Sequence, residues 1–169
     1  MEISATDVKN LRDMTGAGMM EAKKALTEAN GDVEKATALL RERGASIAAS
    51  KSDRVAANGV IASYVHNSRV GVIVEVMVET DFVARDEKFV MFADQIAMHI
   101  AGMSPKYVSA DQVPAGENAK DVALLEQPFV LDPSKTVGDF VNEHVAIFKE
   151  NIQIGHFARL ELGAPTHIC

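Results

Sequence analysis

The segment TGAGMMEAKKAL, residues 15–26, holds closely spaced glycines of the kind that can cradle a phosphate group. A phosphate-binding loop of the common nucleotide-binding type ends in Gly-Lys-Ser or Gly-Lys-Thr and follows a strand. Here that ending is missing, and the residues before the segment have the apolar spacing of a helix. The glycines are therefore interpreted as a tight turn between two helices, where glycine dihedral angles are needed.

The remaining reactive side chains do not form a recognisable catalytic or metal-binding pattern. The five histidines have no spacing that places two on one helical turn, and they lack partner cysteines: His66, His99, His144, His156 and His167. We therefore expect no metal site and no cofactor. No serine occupies a Gly-x-Ser-x-Gly elbow, which argues against a hydrolase triad. Glu75 and Glu79 share a strand face and could form an acid and base pair, although a solvated face is favoured. The chain is expected not to be an enzyme.

Composition limits the compartment and the partners. The 169 residues carry a formal charge of -7 and a pI near 5.2, which argues against direct nucleic-acid binding. The single cysteine, Cys169, cannot form an internal disulfide. The first ten residues resemble neither a signal nor a transit peptide, and no apolar run reaches the ~18 residues of a membrane span. We expect a cytoplasmic protein without a membrane partner.

Two adjacent methionines, Met19 and Met20, stand at the start of a predicted helix. Neighbouring residues on a helix cannot both face one core, so at least one methionine is expected to face outward. Flexible thioethers suit an adaptable protein-binding surface, and Lys23 lies one turn further on. From these residues alone, core packing and partner binding both remain open.

A single aromatic residue, Phe82, stands in a polar stretch between a strand and a helix in VMVETDFVARDEKF, residues 76–89. Thr80 can end the strand, and Asp81 suits both the bend and the first turn of the next helix. Phe82 could pack under that helix as core. If it projects instead, it is a rigid apolar anchor surrounded by polar groups, which is typical of an interface hot spot.

Short helices are predicted from Thr6 to about Arg54. Ser4 or Thr6 can cap the first helix, whose apolar residues Val8, Leu11 and Met14 have helical spacing. The second runs from about Met19 to Ala29, and Asp32 caps a third that is expected to end at Gly44. Residues 44–59, rich in alanine and serine, are interpreted as a linker. Three such helices are marginally stable alone but plausible as a binding module.

The apolar period changes to two after Gly59. Two strands joined at HNSR, residues 66–69, form a predicted hairpin, and the second has one valine-rich face. That face consists of Val72, Val74, Val76 and Val78. A helix from about Ala84 to Met103 should cover it, with Phe89, Phe92, Ile96 and Ile100 at helical spacing. A second helical stripe at 137–148 and a closing strand in IQIGHFARLEL complete an α+β fold with about three antiparallel strands.

Two long stretches closely resemble the elongation factor Ts family, which exchanges nucleotide on elongation factor Tu. They are LRDMTGAGMMEAKKALTEANGDVEKA, residues 11–36, and VEVMVETDFVARDEKF, residues 74–89. Weaker similarity occurs in DQIAMHIAGMSPKYVSA, in LLEQPFVLDPSKTV and in ENIQIGHFARLELG. Together these segments span nearly the whole chain.

The resemblance implies a ubiquitin-associated-like three-helix domain at residues 1–54, with its linker, and an α+β dimerisation-type core at 55–169. It implies that Met19, Met20 and Lys23 bind the GTP-binding domain of elongation factor Tu. It also implies that Thr80, Asp81, Phe82 and Val83 form the element that displaces magnesium, with Phe82 wedged between helices of the partner.

The chain departs from the family pattern in two ways. Members usually insert a helical hairpin after the region matching VSADQVP, whereas only AGENAKDVAL separates Pro114 from Leu125 here. The chain also has room for one copy of the core fold, which resembles the short members that pair as homodimers. The closing strand lacks the cysteine that can link such a pair, so the expected homodimer is noncovalent. A peptide-binding adaptor, which would leave nucleotide affinity unchanged, is the alternative function.

Overall fold

A computed structural model describes residues 3–169, which form two compact units. The first unit contains residues 3–53 together with Val141–Lys149. The second contains Arg54–Phe140 and Glu150–Cys169. Between residues 3 and 169, no helix is both long enough and apolar enough to cross a membrane.

Capping residues set the limits of the helices in the first unit, which are α1 (Ala5–Thr15), α2 (Met19–Glu28) and α3 (Val33–Lys51). Ser4 and Asp7 form a capping box at the start of α1, and the Asp32 side chain accepts from the backbone N–H of Lys35 at the start of α3. The helices enclose a small core made of Val8, Leu11, Ala22, Ala25, Leu26, Ala29 and Ala36. Most of these side chains are alanines, so the helices pack close together and few large side chains are needed to fill this core.

The predicted end of the third helix at Gly44 is wrong, because α3 continues to Lys51. Gly44 is buried, and a Cβ at this position would lie 3.6 Å from the backbone oxygen of Asn142. Gly44 therefore lies at a close approach between α3 and the backbone of Asn142. The glycine does not interrupt the helix. The alanines that follow favour helix strongly, so the first half of the expected linker is helical.

The main sheet of the second unit has four antiparallel strands in the order β1-β2-β5-β6. The strands are β1 (Asn58–His66), β2 (Val70–Val78), β5 (Ile152–Glu161) and β6 (His167–Ile168). The expectation of about three strands is corrected, because the chain turns back after β5 and adds β6. With only two residues, β6 is too short to show an alternating pattern in the sequence.

The predicted hairpin at HNSR is confirmed. β1 and β2 pair throughout, from Asn58 opposite Val78 to His66 opposite Val70. Asn67 and Ser68 both adopt positive φ, at 49° and 56°, and the Arg69 N–H donates to the His66 carbonyl at 2.9 Å. Two successive positive φ angles match the twist of a two-residue hairpin turn.

Helices cover the valine face of β2. The helix predicted from about Ala84 to Met103 is α5 (Glu87–Met103), which begins three residues later because Asp86 caps it by accepting from the Lys88 N–H at 2.8 Å. A short helix, α4 (Asp81–Ala84), precedes it. The buried side chains are the predicted ones: Val72, Val74, Val76, Val78, Phe89, Phe92, Ile96 and Ile100. This apolar layer anchors the elements on both sides of the segment from Glu79 to Asp86.

The chain between α5 and β5 includes α6 (Ala119–Val122), β3 (Pro128–Phe129), β4 (Asp132–Thr136) and α7 (Val137–Phe148). β3 and β4 form a separate two-stranded sheet. Buried His99 on α5 fixes this region: its Nδ1 accepts from the Val130 N–H at 3.1 Å, and its Nε2 lies 2.9 Å from Gln127 Oε1. Since Nδ1 is the acceptor, the ring is neutral with its proton on Nε2.

Candidate functional site

The turn between α1 and α2 presents the two adjacent methionines. Gly16 ends α1 in the left-handed region at φ 71°, and the Thr15 hydroxyl accepts from the Ala17 N–H at 3.3 Å. A Cβ at Gly16 would meet only the end of the Ile147 side chain, at 2.9 Å, which can move aside, so the positive φ is the reason that glycine is favoured here. The turn therefore places Met19 as the first residue of α2.

Both methionines face outward. Met19 is 51% exposed and Met20 is 75% exposed, and Lys23 one turn later is also exposed. The opposite face of α2 is buried through Ala22, Ala25 and Leu26. We call Met19, Met20 and Lys23 the methionine surface. Its two thioether chains and its lysine stem can each adopt several rotamers, which suits a surface that adapts to a partner.

Met14 is a further exposed methionine that sequence reasoning assigned to the core stripe of α1. It is 67% exposed, whereas Val8 and Leu11 on the same helix are buried as expected. Met14 lies in the last turn of α1, beyond the part of the helix that packs on the core. Helical spacing shows which face a residue occupies, but it does not show where the packing ends.

The second candidate site is the turn that follows β2. Thr80 is the N-cap of α4, and its Oγ1 accepts from the Val83 N–H at 3.3 Å. Val83 is buried and ties the short helix to the core, whereas Phe82 is 84% exposed. Of the two placements that the sequence left open for Phe82, the structure has the outward one.

Polar groups surround the exposed ring. The Asp81 carboxylate lies 3.2 Å from the Arg85 guanidinium, one turn along, and both side chains are largely exposed. An ion pair this exposed contributes little stability. A shallow cleft beside the ring is lined by Asp81, Phe82, Arg85 and Asp86. The result is an apolar projection with a charged rim, which is the composition expected of an interface anchor.

Sequence reasoning missed Glu150, which contacts this turn across 70 residues of chain. Its Oε2 accepts from the Thr80 N–H at 3.0 Å, and its Oε1 accepts from the Thr80 hydroxyl at 2.8 Å. Glu150 stands two residues before β5, and no local pattern distinguishes it from a solvent-exposed acid. Only the pairing of β2 with β5 brings it to Thr80.

The two glutamates of β2 considered as an acid and base pair have separate partners. Glu75 accepts from the His156 backbone N–H at 2.9 Å, and His156 Nδ1 lies 2.9 Å from the same oxygen. Both hydrogen bonds lower the pKa of Glu75. The bond from the His156 backbone N–H has the larger effect, and the bond from the His156 ring has the smaller one. Glu79 accepts from the Asn151 N–H at 2.7 Å. These geometries give both carboxylates structural partners.

The part of the chain from Ile3 to Cys169 contains no group of three or more His, Cys, Asp or Glu side chains able to hold a metal ion. Burial lowers the pKa of His99, which keeps this core imidazole neutral. Burial raises the pKa of the Cys169 thiol, which makes the thiolate harder to form.

Comparison with known proteins shows extensive similarity to one family. The sequence model described as Elongation factor TS matches residues 3–121. Elongation factor Ts of Acetivibrio thermocellus is 46% identical over 194 aligned positions, which cover 95% of this chain and 90% of the relative. Elongation factor Ts of Solidesulfovibrio magneticus is 45% identical, covering 95% of this chain and 97% of the relative. The corresponding protein of Fervidobacterium nodosum is 42% identical, with coverages of 96% and 100%.

The alignment with the Acetivibrio protein is longer than this chain. It runs over 194 positions, whereas the chain has 169 residues, so at least 25 positions of the relative have no counterpart here. This chain is therefore a shorter variant of the same sequence type.

Proposed function

This chain belongs to the elongation factor Ts family, and from that premise we propose that it is a guanine nucleotide exchange factor for elongation factor Tu. In this proposal it acts in translation elongation, in the cytoplasm, by binding its partner. It carries out no covalent chemistry and uses no cofactor. The observation that carries the proposal is the exposure of Phe82. Its side chain is 84% exposed, although Thr80 caps the turn on one side and Val83 is buried on the other.

The proposed mechanism uses burial of Phe82 to weaken nucleotide binding. A GTPase holds GDP partly through Mg²⁺, which demands near-ideal octahedral ligand geometry. In this mechanism the Thr80–Val83 turn, with Asp81 beside Phe82, inserts into the GTPase and moves the groups that bind the ion, so that the ion is displaced. Burying a phenylalanine contributes roughly 1.5–3 kcal/mol. This energy is available only in the distorted, nucleotide-free complex, so it favours release of GDP.

Thermodynamic linkage makes this effect reciprocal. If the factor weakens nucleotide binding by a given free energy, nucleotide weakens binding of the factor by the same amount. Incoming GTP or GDP therefore expels the factor from the complex. Exchange becomes faster, and the equilibrium between bound GDP and bound GTP stays unchanged.

We assign the binding step to residues 1–54, a ubiquitin-associated-like helical domain. In this assignment Met19, Met20 and Lys23 contact the GTP-binding domain of elongation factor Tu. Their exposure on one helix whose opposite face is buried supports the assignment. The core at 55–169 then provides the turn that acts on the nucleotide site.

We also propose that two copies of the core pair as a noncovalent homodimer. The sheet face opposite the helices exposes five apolar side chains beside the contact between Glu75 and His156: Ile61, Val65, Ile73, Leu160 and Ile168. Ser63, Ile73, Ala158 and Ile168 follow one another across the four paired strands, so this face is continuous. An uncovered apolar face of this kind is typical of an interface. A second copy is the occupant that the family resemblance implies.

Release of a fluorescent GDP analogue from elongation factor Tu tests the proposed function. The wild-type chain should accelerate release in a concentration-dependent and saturable way, without altering the affinity ratio of GDP and GTP at equilibrium. Binding to elongation factor Tu without faster release would instead support the adaptor function.

Light scattering over a concentration series tests the homodimer. The mass should approach twice that of the chain and fall on dilution. Ile73→Asp, which places a charge in the middle of the apolar face, should shift the mass to that of a monomer. A wild-type mass that stays monomeric at all concentrations would refute the pairing.

A further inference from the structure

The β2 and β5 ladder ends at Val78 opposite Ile152, but hydrogen bonding between the two segments continues beyond it. The backbone N–H of Thr80 lies just beyond the last ladder pair. The Glu150 carboxylate accepts from this N–H at 3.0 Å. A side chain therefore serves as the hydrogen-bond acceptor beyond the end of the ladder.

The arrangement is reciprocal. Glu79, the residue before Thr80, accepts from the backbone N–H of Asn151 at 2.7 Å, and its oxygen lies 3.6 Å from the Arg54 guanidinium. Asn151 in turn donates from Nδ2 to the Arg54 carbonyl at 2.7 Å. Each of the two segments thus offers one glutamate to the backbone of the other. This double contact fixes the position of Thr80 relative to the end of the sheet.

The second oxygen of Glu150 acts on the helix cap itself. The Thr80 hydroxyl donates to Glu150 Oε1 at 2.8 Å while it accepts from the Val83 N–H at 3.3 Å. Glu150 therefore orients the hydroxyl that caps α4. A helix of four residues has little stability of its own, so its direction depends on contacts at its ends. Those contacts are the Thr80 cap on one side and buried Val83 on the other.

We infer that Glu150 is a positioning residue for nucleotide exchange, which acts by holding Thr80 so that Phe82 projects in a defined direction. This inference rests on the proposed function of the turn. Glu150 touches neither the nucleotide nor the magnesium ion in this scheme. It acts through Thr80 by preorganising the apolar anchor, which lowers the ordering cost when the partner binds.

The activity test uses Glu150→Gln, which keeps the shape but replaces one acceptor oxygen by a donor group. The maximal rate of GDP release at saturating factor should fall about 3- to 10-fold, while the half-saturating concentration changes less than twofold. Glu161→Gln is the matched control, because its carboxylate also accepts a hydrogen bond, from Arg159 at 2.7 Å, and it lies at the far end of β5, about 30 Å from Ile152 at ~3.3 Å per residue. It should leave both parameters unchanged.

A double-mutant cycle separates action through Phe82 from a general structural effect. In a Phe82→Ala background, Glu150→Gln should cause no further loss of maximal rate, because the anchor that it positions is gone. Losses that multiply would overturn the inference. Thr80→Val removes the bond to Glu150 Oε1 together with the cap of α4, so it should lower the maximal rate at least as much as Glu150→Gln.

A reporter that does not depend on elongation factor Tu completes the test. The chain has no tryptophan, so Phe82→Trp provides a single tryptophan, at the anchor, whose emission can be excited selectively over that of the two tyrosines. Adding Glu150→Gln should lower the steady-state anisotropy of this tryptophan, and adding Glu161→Gln should not. Equal anisotropy in all three proteins would overturn the positioning role. If the wild-type chain fails to stimulate GDP release, the proposed function is rejected, and the anisotropy still decides whether Glu150 positions residue 82.

Discussion

The methionine surface and the Thr80–Val83 turn are both exposed and partly apolar, but they are held in place differently. Met19 and Met20 stand at the start of α2, whose N-cap, Gly18, has no side-chain cap hydrogen bond. The turn is bonded through Thr80 to a residue 70 positions away. One region has flexible side chains on an ordinary helix, and the other has a rigid ring on a constrained turn.

This difference suits two tasks in the proposed exchange reaction. Adaptable methionines can remain bound while the partner changes shape, because their side chains repack at low cost. An element that distorts the partner must resist distortion itself, so a fixed turn with a two-torsion aromatic side chain is suitable. Mutations in the first region should therefore change affinity, and mutations in the second should change the maximal rate.

The largest effect is expected from Phe82→Ala. Losing roughly 1.5–3 kcal/mol of burial should lower the maximal rate of stimulated GDP release about 10- to 100-fold. The melting temperature should change by less than about 2 °C, because the ring is exposed in the free protein. Leu131→Ala, which truncates another exposed apolar residue, is the control. Full stimulation by a folded Phe82→Ala protein would disprove the role of the ring.

A smaller effect, on affinity, is expected from the paired change Met19→Ala and Met20→Ala. The half-saturating concentration should rise about 5- to 20-fold, which corresponds to about 1–2 kcal/mol and is typical of interface residues weaker than the strongest hot spots. The maximal rate should stay within a factor of two. Met14→Ala is the matched control, since Met14 is equally exposed but lies outside the predicted contact set. A fall in maximal rate with unchanged half-saturation would remove the distinction between the two regions.

Acidification should weaken the unit that carries the turn, through His99. Burial lowers the folded-state pKa of His99, so the unfolded chain binds more protons below the ordinary histidine value of about 6.5. Stability from this source is complete above pH 6.5 and is lost as the pH falls below it. Chemical denaturation from pH 7 to pH 5.5 should show this decline.

Two variants identify the source of that decline. His99→Gln should be less stable at pH 7 but have a flatter dependence on pH. His66→Gln, which replaces an exposed histidine, is the control for loss of an imidazole. An unchanged slope in His99→Gln would assign the pH dependence to other groups.

The smallest effect is expected from Gly44→Ala in α3. Alanine is favoured over glycine inside a helix by about 0.5–1 kcal/mol, and its Cβ would make an ordinary contact at 3.6 Å from the Asn142 oxygen. The melting temperature should rise by about 2–4 °C, measured by calorimetry. The maximal rate of GDP release and the half-saturating concentration should both stay the same. A lower melting temperature would mean that the approach of Asn142 leaves no space for a methyl group.

Local patterns in the sequence predicted the hairpin, the valine face of β2 and the apolar stripe of α5, because each rests on residues that are close in the chain. Patterns failed where a distant residue decides the outcome. Gly44 resembles a helix end in the sequence, but it lies buried inside α3, beside the backbone of Asn142. β6 is a strand only because β5 lies beside it.

The candidate site shows the same limit. Thr80 and Asp81 have types that suit a strand end and a helix start, and the structure places them there. The direction of Phe82 could not be predicted, since a phenylalanine at this position fits either the core or an interface. Glu150 gave no local signal, because its partner is 70 residues away. The contact depends on strand pairing and not on sequence spacing.

The bond between Thr80 and Glu150 also has a consequence for the order in which the protein is completed during synthesis. When the first 140 residues have left the ribosome, the β1–β2 hairpin and α5 are all present in the nascent chain. The carboxylate that orients Thr80 is not, and neither is β5, which pairs with β2. The turn can take its final form only after nearly nine-tenths of the chain has been translated. Ribosome-bound fragments ending before residue 150 would thus display Phe82 without the contact that directs it.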